Sequence, residues 1–182
     1  MAGRDALREL TPSPAAGFEA PFAMLEACHE RIQRTLDLLQ RLRHHVAQHG
    51  ADEQARQAAR DVLRYFDQAA PQHHLDEERH VIPALEASGD PAHVTLARRL
   101  RDDHRRMEAA WAVARTILSD LVEGGLAALQ PAQDEALAAF AALHADHLAA
   151  EEQVALPAAT ASLDATALER MSRDMRERRG AA

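Results

Sequence analysis

At 182 residues the chain is long enough for one domain with a real core and too short to expect two. Apolar residues make up 47% of it but aromatic ones only 3%, alanine is abundant, and no stretch alternates with the period of a strand, so an all-α protein is predicted. The net charge of −8 argues against a nucleic-acid or anionic-membrane partner, a single cysteine excludes an internal disulfide, and no signal pattern or twenty-residue apolar run is present, so the expected setting is cytoplasmic.

Residues 1–19, with Thr11-Pro12-Ser13-Pro14, read as a flexible N-terminal lead-in. A first helix is predicted from Pro21 to His49, with Pro21 suited to a first turn and Gly50 to the stop. A second covers about Ala51 to Ala87 and ends at Ser88-Gly89-Asp90-Pro91. The third runs from about Pro91 to Val122 and stops at Gly124-Gly125, and the fourth from about Pro131 to Ala159. A short helix follows Asp164, a natural cap, and residues 161–182 form this C-terminal helix with a basic tail. Pro71, Pro83 and Pro157 fall inside or near the ends of these patterns, where each removes a backbone donor and can kink or end a helix. The arginines between Arg170 and Arg179 read as solvated charges favoured near a helix C-terminus.

Each long helix carries a stripe at alternating spacings of three and four. Helix one gives Phe22, Leu25, His29, Ile32, Leu36 and Leu39; helix two gives Leu63, Phe66, Ala70, His73, Glu77, His80 and Ala84. Helix three gives Leu100, His104, Met107, Trp111, Ala114, Leu118 and Leu121; helix four gives Leu137, Phe140, His144, His147, Glu151, Val154 and Ala158. Four such stripes facing one another, joined by short connections, predict an up-down-up-down antiparallel four-helix bundle over residues 20–160, with the short extra C-terminal helix. The chain also repeats itself at an offset of 74 or 75 residues. Phe66, His73, Glu77, Glu78 and Pro83 recur as Phe140, His147, Glu151, Glu152 and Pro157, and Leu25, His29 and Ile32 recur more loosely as Leu100, His104 and Met107. Two helix pairs related by an approximate twofold thus deliver matching polar groups to one place.

Eleven histidines are the anomaly of this composition. Every stripe holds at least one where leucine would pack better, and two stripes also hold a glutamate. An unpaired buried carboxylate costs several kcal/mol, comparable with the stability of a small domain. A cation removes that cost, and neutral imidazole with carboxylate suits iron, manganese or zinc. Residues four apart share a helix face, so His73 with Glu77, and His147 with Glu151, can serve one ion or two neighbours. With His29 and His104 there are six groups, natural for two ions bridged by carboxylates. The doublets His73-His74 and Glu77-Glu78 leave a second register, His74 with Glu78, open. Glu108, one turn beyond His104, is a further candidate ligand, its alternative being a surface partner of an arginine such as Arg105. His80 and His144 read as groups that orient a ligand or are merely buried. His44, His45, His49 and His93 read as solvated, and Cys28 as a small buried thiol.

The segments His29-Glu30-Arg31-Ile32, His73-His74-Leu75-Asp76-Glu77-Glu78 through Pro83, Asp103-His104 through Glu108, and His147-Leu148-Ala149-Ala150-Glu151-Glu152 through Pro157 resemble the hemerythrin-like, or HHE cation-binding, family over about residues 20–160. The tail from Leu168 to Arg179 is similar to the short helix that often follows. The resemblance implies a bundle with a bridged di-iron centre that meets oxygen, nitric oxide or peroxide. Oxygen carriers of that family typically have two histidines four apart on the third helix; here His104 is followed by Glu108. They also typically have an aspartate five after the last histidine; here Glu151 stands four after His147. Carboxylate in place of imidazole favours the ferric state, so the pattern resembles the hemerythrin-like branch rather than the carriers.

The expected function is therefore a binding module holding two iron ions, with zinc or manganese as alternatives. It would act as a sensor or an iron- or oxygen-handling protein toward a diatomic ligand or peroxide, with a homodimer left open. A di-iron enzyme of peroxidase or oxidase type is the alternative. A ferritin-like carboxylate protein comes third: Glu26-x-x-His29 and Glu77-x-x-His80 match its motif, but the histidine-rich stripes are then unexplained.

Overall fold

A computed structural model describes residues 17–181 of the chain. All but the last three residues of the expected lead-in, residues 1–19, lie outside that range. Helix α1, Pro21–His49, starts on a proline whose missing N–H is no loss in a first turn. It stops at Gly50, in the left-handed region at φ 75°. Helix α2, Glu53–Asp76, is capped by Asp52, whose side chain accepts from the Ala55 N–H at 2.9 Å; Pro71 lies inside it. It continues through a π turn, Glu77–Val81, into α3, Ile82–Ala87. Helix α4, Pro91–Glu123, begins at the Asp90 cap and ends at Gly124, also left-handed at φ 82°. A fourth stretch comprises α5, Pro131–Ala142, α6, Ala145–Ala150, a second π turn, Glu151–Ala155, and α7, Leu156–Ser162. Helix α8, Ala165–Arg178, is capped by Asp164. No strand occurs among the described residues.

Helix α1 packs on α2, α2 on α4, α4 on α5, and α5 back on α1, so the helices close a ring. Inside it lie two apolar clusters. One holds Leu39, Leu42, Phe66, Leu118, Leu137 and Phe140; the other holds Leu25, Val81, Ile82, Leu85, Leu100 and Leu156. Between them, along every helix of the ring, lies a polar layer containing the histidines and glutamates of the predicted stripes. Helix α8 lies against α1 and α2 and closes the second cluster with Met171 and Met175.

The second and fourth helices are each interrupted where the sequence suggested continuity, and the interruptions have an identifiable cause. Pro83 and Pro157 offer no N–H, and in an α-helix their rings would press on the carbonyls of Arg79 and Gln153, four residues back. The chain widens one turn ahead of each proline instead. The Ile82 N–H returns to the Glu77 carbonyl, and the Leu156 N–H to that of Glu151, five residues back in both. The extra residue shifts the stripe by one position. Val81 and Leu85 are buried where His80 and Ala84 were expected, and Ala155 and Ala159 where Val154 and Ala158 were expected; Val154 is 41% exposed. His80 consequently turns from the polar layer to Asp174 on α8, at 2.9 Å. The fourth helix also breaks at Leu143-His144. There the His144 ring donates from Nδ1 to the Phe140 carbonyl at 3.1 Å, and the backbone tightens, the His144 N–H reaching Ala141.

The basic tail is not wholly solvated. Arg178 and Arg179 both clasp Asp76, a fully buried carboxylate on α2, the second through Nη2 at 2.6 Å. Arg178 also reaches Asp174 at 3.0 Å and the Gln72 side chain at 3.0 Å. These contacts pin the end of α8 to the bundle.

Candidate metal centre

Six of the seven candidate ligands meet in the polar layer. His29 comes from α1, His73 from α2, Glu77 and Glu151 from the first residue of each π turn, His104 from α4 and His147 from α6. All six are buried, both glutamates completely. They form two groups that share their carboxylates: His29, His73, Glu77 and Glu151, and His104, His147, Glu77 and Glu151. Within each, the donor atoms lie within 4.8 Å of one another.

The two oxygens of each carboxylate face opposite ways. Glu77 Oε1 is 3.1 Å from His73 Nε2 and 3.5 Å from His29 Nε2, while its Oε2 is 3.4 Å from His104 Nε2. Glu151 Oε2 is 3.3 Å from His29 Nε2, while its Oε1 is 3.1 Å from His147 Nε2 and 3.9 Å from His104 Nε2. Each glutamate thus presents one oxygen to each histidine pair, the disposition of a bridging ligand. The twofold of the sequence repeat maps one group onto the other.

Side-chain atoms in this layer lack the partners that burial normally requires. Nine buried side-chain nitrogens and oxygens among the described residues make no hydrogen bond, and all but Arg56 Nε belong to His73, Glu77, His104, His147 and Glu151. Their donors converge but do not satisfy one another. Burial, and then the neighbouring charge of Glu151, push the Glu77 carboxyl above its ordinary range. Burial lowers His73 well below the ordinary imidazole value, and the nearby His29 adds to this. Burial would lower His29 and His104 as well, but the carboxylates around them prevail, raising His29 to about 10 and His104 to about 9. Two buried carboxylates and four buried imidazoles, three of them with unpartnered nitrogens, fit a pair of cations of the iron, manganese or zinc kind.

The doublets now have separate tasks. The second glutamate of each doublet leaves the layer and binds a histidine of the opposite half: Glu152 Oε1 lies 3.1 Å from His29 Nδ1, and Glu78 Oε1 lies 2.9 Å from His104 Nδ1. A carboxylate on Nδ1 fixes the ring so that Nε2 points at the centre and makes it a stronger donor. Sequence reasoning did not assign this role to Glu78 or Glu152, although their recurrence in the repeat was its signal. Asp103 stands beside His147, 3.6 Å from Nδ1, at the position that repeats Cys28. Burial pushes the Cys28 thiol up, as expected of a packed rather than a reactive cysteine.

Glu108 is not drawn into either group. It is exposed on α4, at the mouth of a cavity of about 330 Å³ between α2 and α4. On α4 the inward position after His104 is taken by Met107, 2% exposed, and Glu108, the next residue, lies about 100° further round the helix. His74 does not pair with Glu78 in the alternative register either; it stacks on His104, ring centroids 4.2 Å apart, and the two imidazoles form one wall of that cavity. Burial first, and then the neighbouring His104, lower His74 to about 3. The cavity's floor is aromatic, made by Phe66, Trp111 and Phe140 with His144 beside them.

The family model of the hemerythrin HHE cation binding domain matches residues 20–159. An uncharacterized protein of Haemophilus influenzae is 30% identical over 113 residues, which cover 62% of this chain and 65% of that relative. The chain therefore spans just under two thirds of the length of the relative it matches. No helix among the described residues is long and apolar enough to cross a membrane.

Proposed function

The chain belongs to the hemerythrin HHE cation-binding family, and from that premise we propose that it is a di-iron protein that senses or handles oxygen, nitric oxide or peroxide. In this reading α1, α2 with α3, α4, and the stretch from α5 to α7 run up, down, up and down as an antiparallel four-helix bundle, and α8 is the extra helix; the closed ring of helix contacts supports it. His29 and His73 would hold one ion, His104 and His147 the other, with Glu77 and Glu151 shared between the two. The carrying observation is that each buried glutamate turns one oxygen to each histidine pair.

Iron in such a centre supplies electron exchange with small oxygen- or nitrogen-containing ligands. The chain's own residues set the conditions for it. Glu78 and Glu152 hold the His104 and His29 rings in place, and the two apolar clusters keep water from the layer on both sides. With two carboxylates and two imidazoles to each ion, the donor set favours the harder, oxidised metal.

Iron loading under anaerobic conditions, followed by metal analysis and aerobic absorption spectroscopy, tests the reading. Two irons per chain and the near-ultraviolet bands of a carboxylate-bridged di-ferric pair are expected, with both lost in Glu77→Ala. Less than one iron per chain in the wild type, with no such bands, would refute it. A di-iron enzyme is the second reading, favoured by the cavity whose lining includes His104, one of the six converging residues. Peroxide consumption by the iron-loaded protein no faster than by free iron would remove it.

A further inference from the structure

The cavity between α2 and α4 has a chemistry of its own. Its floor is the rings of Phe66, Trp111 and Phe140, which touch one another with centroids between 4.9 and 5.2 Å, and the stacked imidazoles of His74 and His104 stand beside it as a wall. About 330 Å³ lies at the small end of the roughly 300–1,000 Å³ span of ligand pockets, room for a molecule of one or two rings. Leu75, 38% exposed, and Pro71 continue the apolar lining toward the surface. The mouth carries Glu78, Glu108 and Arg105, a rim of mixed charge in which Glu78 is already paired with Arg101 at 2.6 Å.

Among the described residues His74, His104 Nε2 and His144 Nε2 line the interior without a hydrogen-bond partner, and of these His144 is the one packed against the aromatic floor. His144 is 3% exposed, and its Nδ1 faces the Phe140 carbonyl at 3.1 Å. A carbonyl only accepts, so Nδ1 carries the proton and Nε2 is left as a lone-pair acceptor. No donor among the described residues reaches it. The pocket therefore combines an aromatic floor, an unpartnered imidazole acceptor and a rim of mixed charge.

We propose that this cavity binds a small neutral phenol, its ring among Phe66, Trp111 and Phe140 and its hydroxyl donating to His144 Nε2. A hydroxyl satisfies the acceptor, a planar ring fits the slot by offset or edge contacts, and neutrality avoids the desolvation of a charge. The bound ring would lie against His104, a member of the second histidine pair. The site does not depend on the di-iron reading, because every group it uses stands outside the bridging carboxylates.

Trp111 is the only tryptophan of the chain and lines the slot, so its fluorescence reports occupancy. Titration of the protein with 4-ethylphenol, both metal-free and zinc-loaded, is expected to give saturable quenching, at least tenfold tighter than ethylbenzene or phenethylamine. Histidine nitrogen chemical shifts in the wild type should move at His144 Nε2 and not at Nδ1. His144→Phe should bring 4-ethylphenol down to the affinity of ethylbenzene. Absence of saturable binding, equal affinity for the three compounds, or binding that leaves the His144 shifts in place would each overturn the proposal. Phenol binding in a protein that takes up no iron would refute the proposed function alone; iron loading without phenol binding would refute only this site.

Discussion

The two histidine pairs present the same donors and have different surroundings. On the side of His29 and His73, helix α8 lies over α1 and α2, and Arg178 and Arg179 lock onto buried Asp76. Tyr65 donates to the Cys28 carbonyl at 3.2 Å on the same side. On the side of His104 and His147, Asp103 stands by one ring and the aromatic cavity reaches the other. Where the first half has Asp76 the second has Ala150, and where the second has Asp103 the first has Cys28. Repetition fixed what the halves hold in common, the ligands and the π turns. Residues that are not repeated decide which side is sealed and which can be approached.

Breaking the sealed side should have the largest effect. Replacing both Arg178 and Arg179 with alanine leaves Asp76 buried and unpaired, which should cost about 3–5 kcal/mol in urea unfolding. A loss below 1 kcal/mol would mean that α8 is not a structural cover. The approachable side should reveal itself through acid. Burial foremost, and then the neighbouring His147, hold His144 at about 4, below the unfolded value of about 6.5. Above pH 6.5 the ring is neutral in both states and costs nothing. As pH falls toward 4 the unfolded chain takes up a proton that the fold refuses, so stability should decline by on the order of 3 kcal/mol across that window. His144→Phe should flatten the decline in pH-dependent melting curves, and an unchanged slope would count against it.

A smaller effect distinguishes the two ions. Glu152→Gln should weaken the ion held by His29, and Glu78→Gln the one held by His104, each by about 10–100-fold in chelator competition. If both variants weakened the same ion, the crossed pairing of carboxylates and histidines would be wrong. The smallest expected change is Tyr65→Phe, about 1 kcal/mol from one hydrogen bond to the Cys28 carbonyl, read from thermal unfolding with metal binding unchanged.

Much of this arrangement was legible in the sequence. The ends of α1 followed from Pro21 and Gly50, and His29, His73, Glu77, His104, His147 and Glu151 followed from stripe and repeat together. Legibility failed just past Glu77 and Glu151. A stripe argument assumes one helical period, and the π turns insert a residue into it, which is why His80 and Val154 were placed inward and lie elsewhere. Pro83 and Pro157 carried the warning, but a proline signals a disturbance without saying whether the helix will kink, end or widen. The orienting role of Glu78 and Glu152 was hidden because it runs between halves, and helical spacing speaks only of neighbours within one helix. The Asp76 clasp was hidden for the same reason: its partners lie about a hundred residues away.

The crossed pairing also constrains the order of assembly. Neither helix pair can complete a group alone: each cluster of four takes a glutamate from both, and His29 and His104 each borrow their orienting carboxylate from the opposite pair. A cation cannot template the first half as it emerges from synthesis; tight capture must wait until both hairpins have docked. Metal uptake would then report completed tertiary structure, and a chain cut between Gly125 and Pro131 should regain it only when the two fragments reassociate.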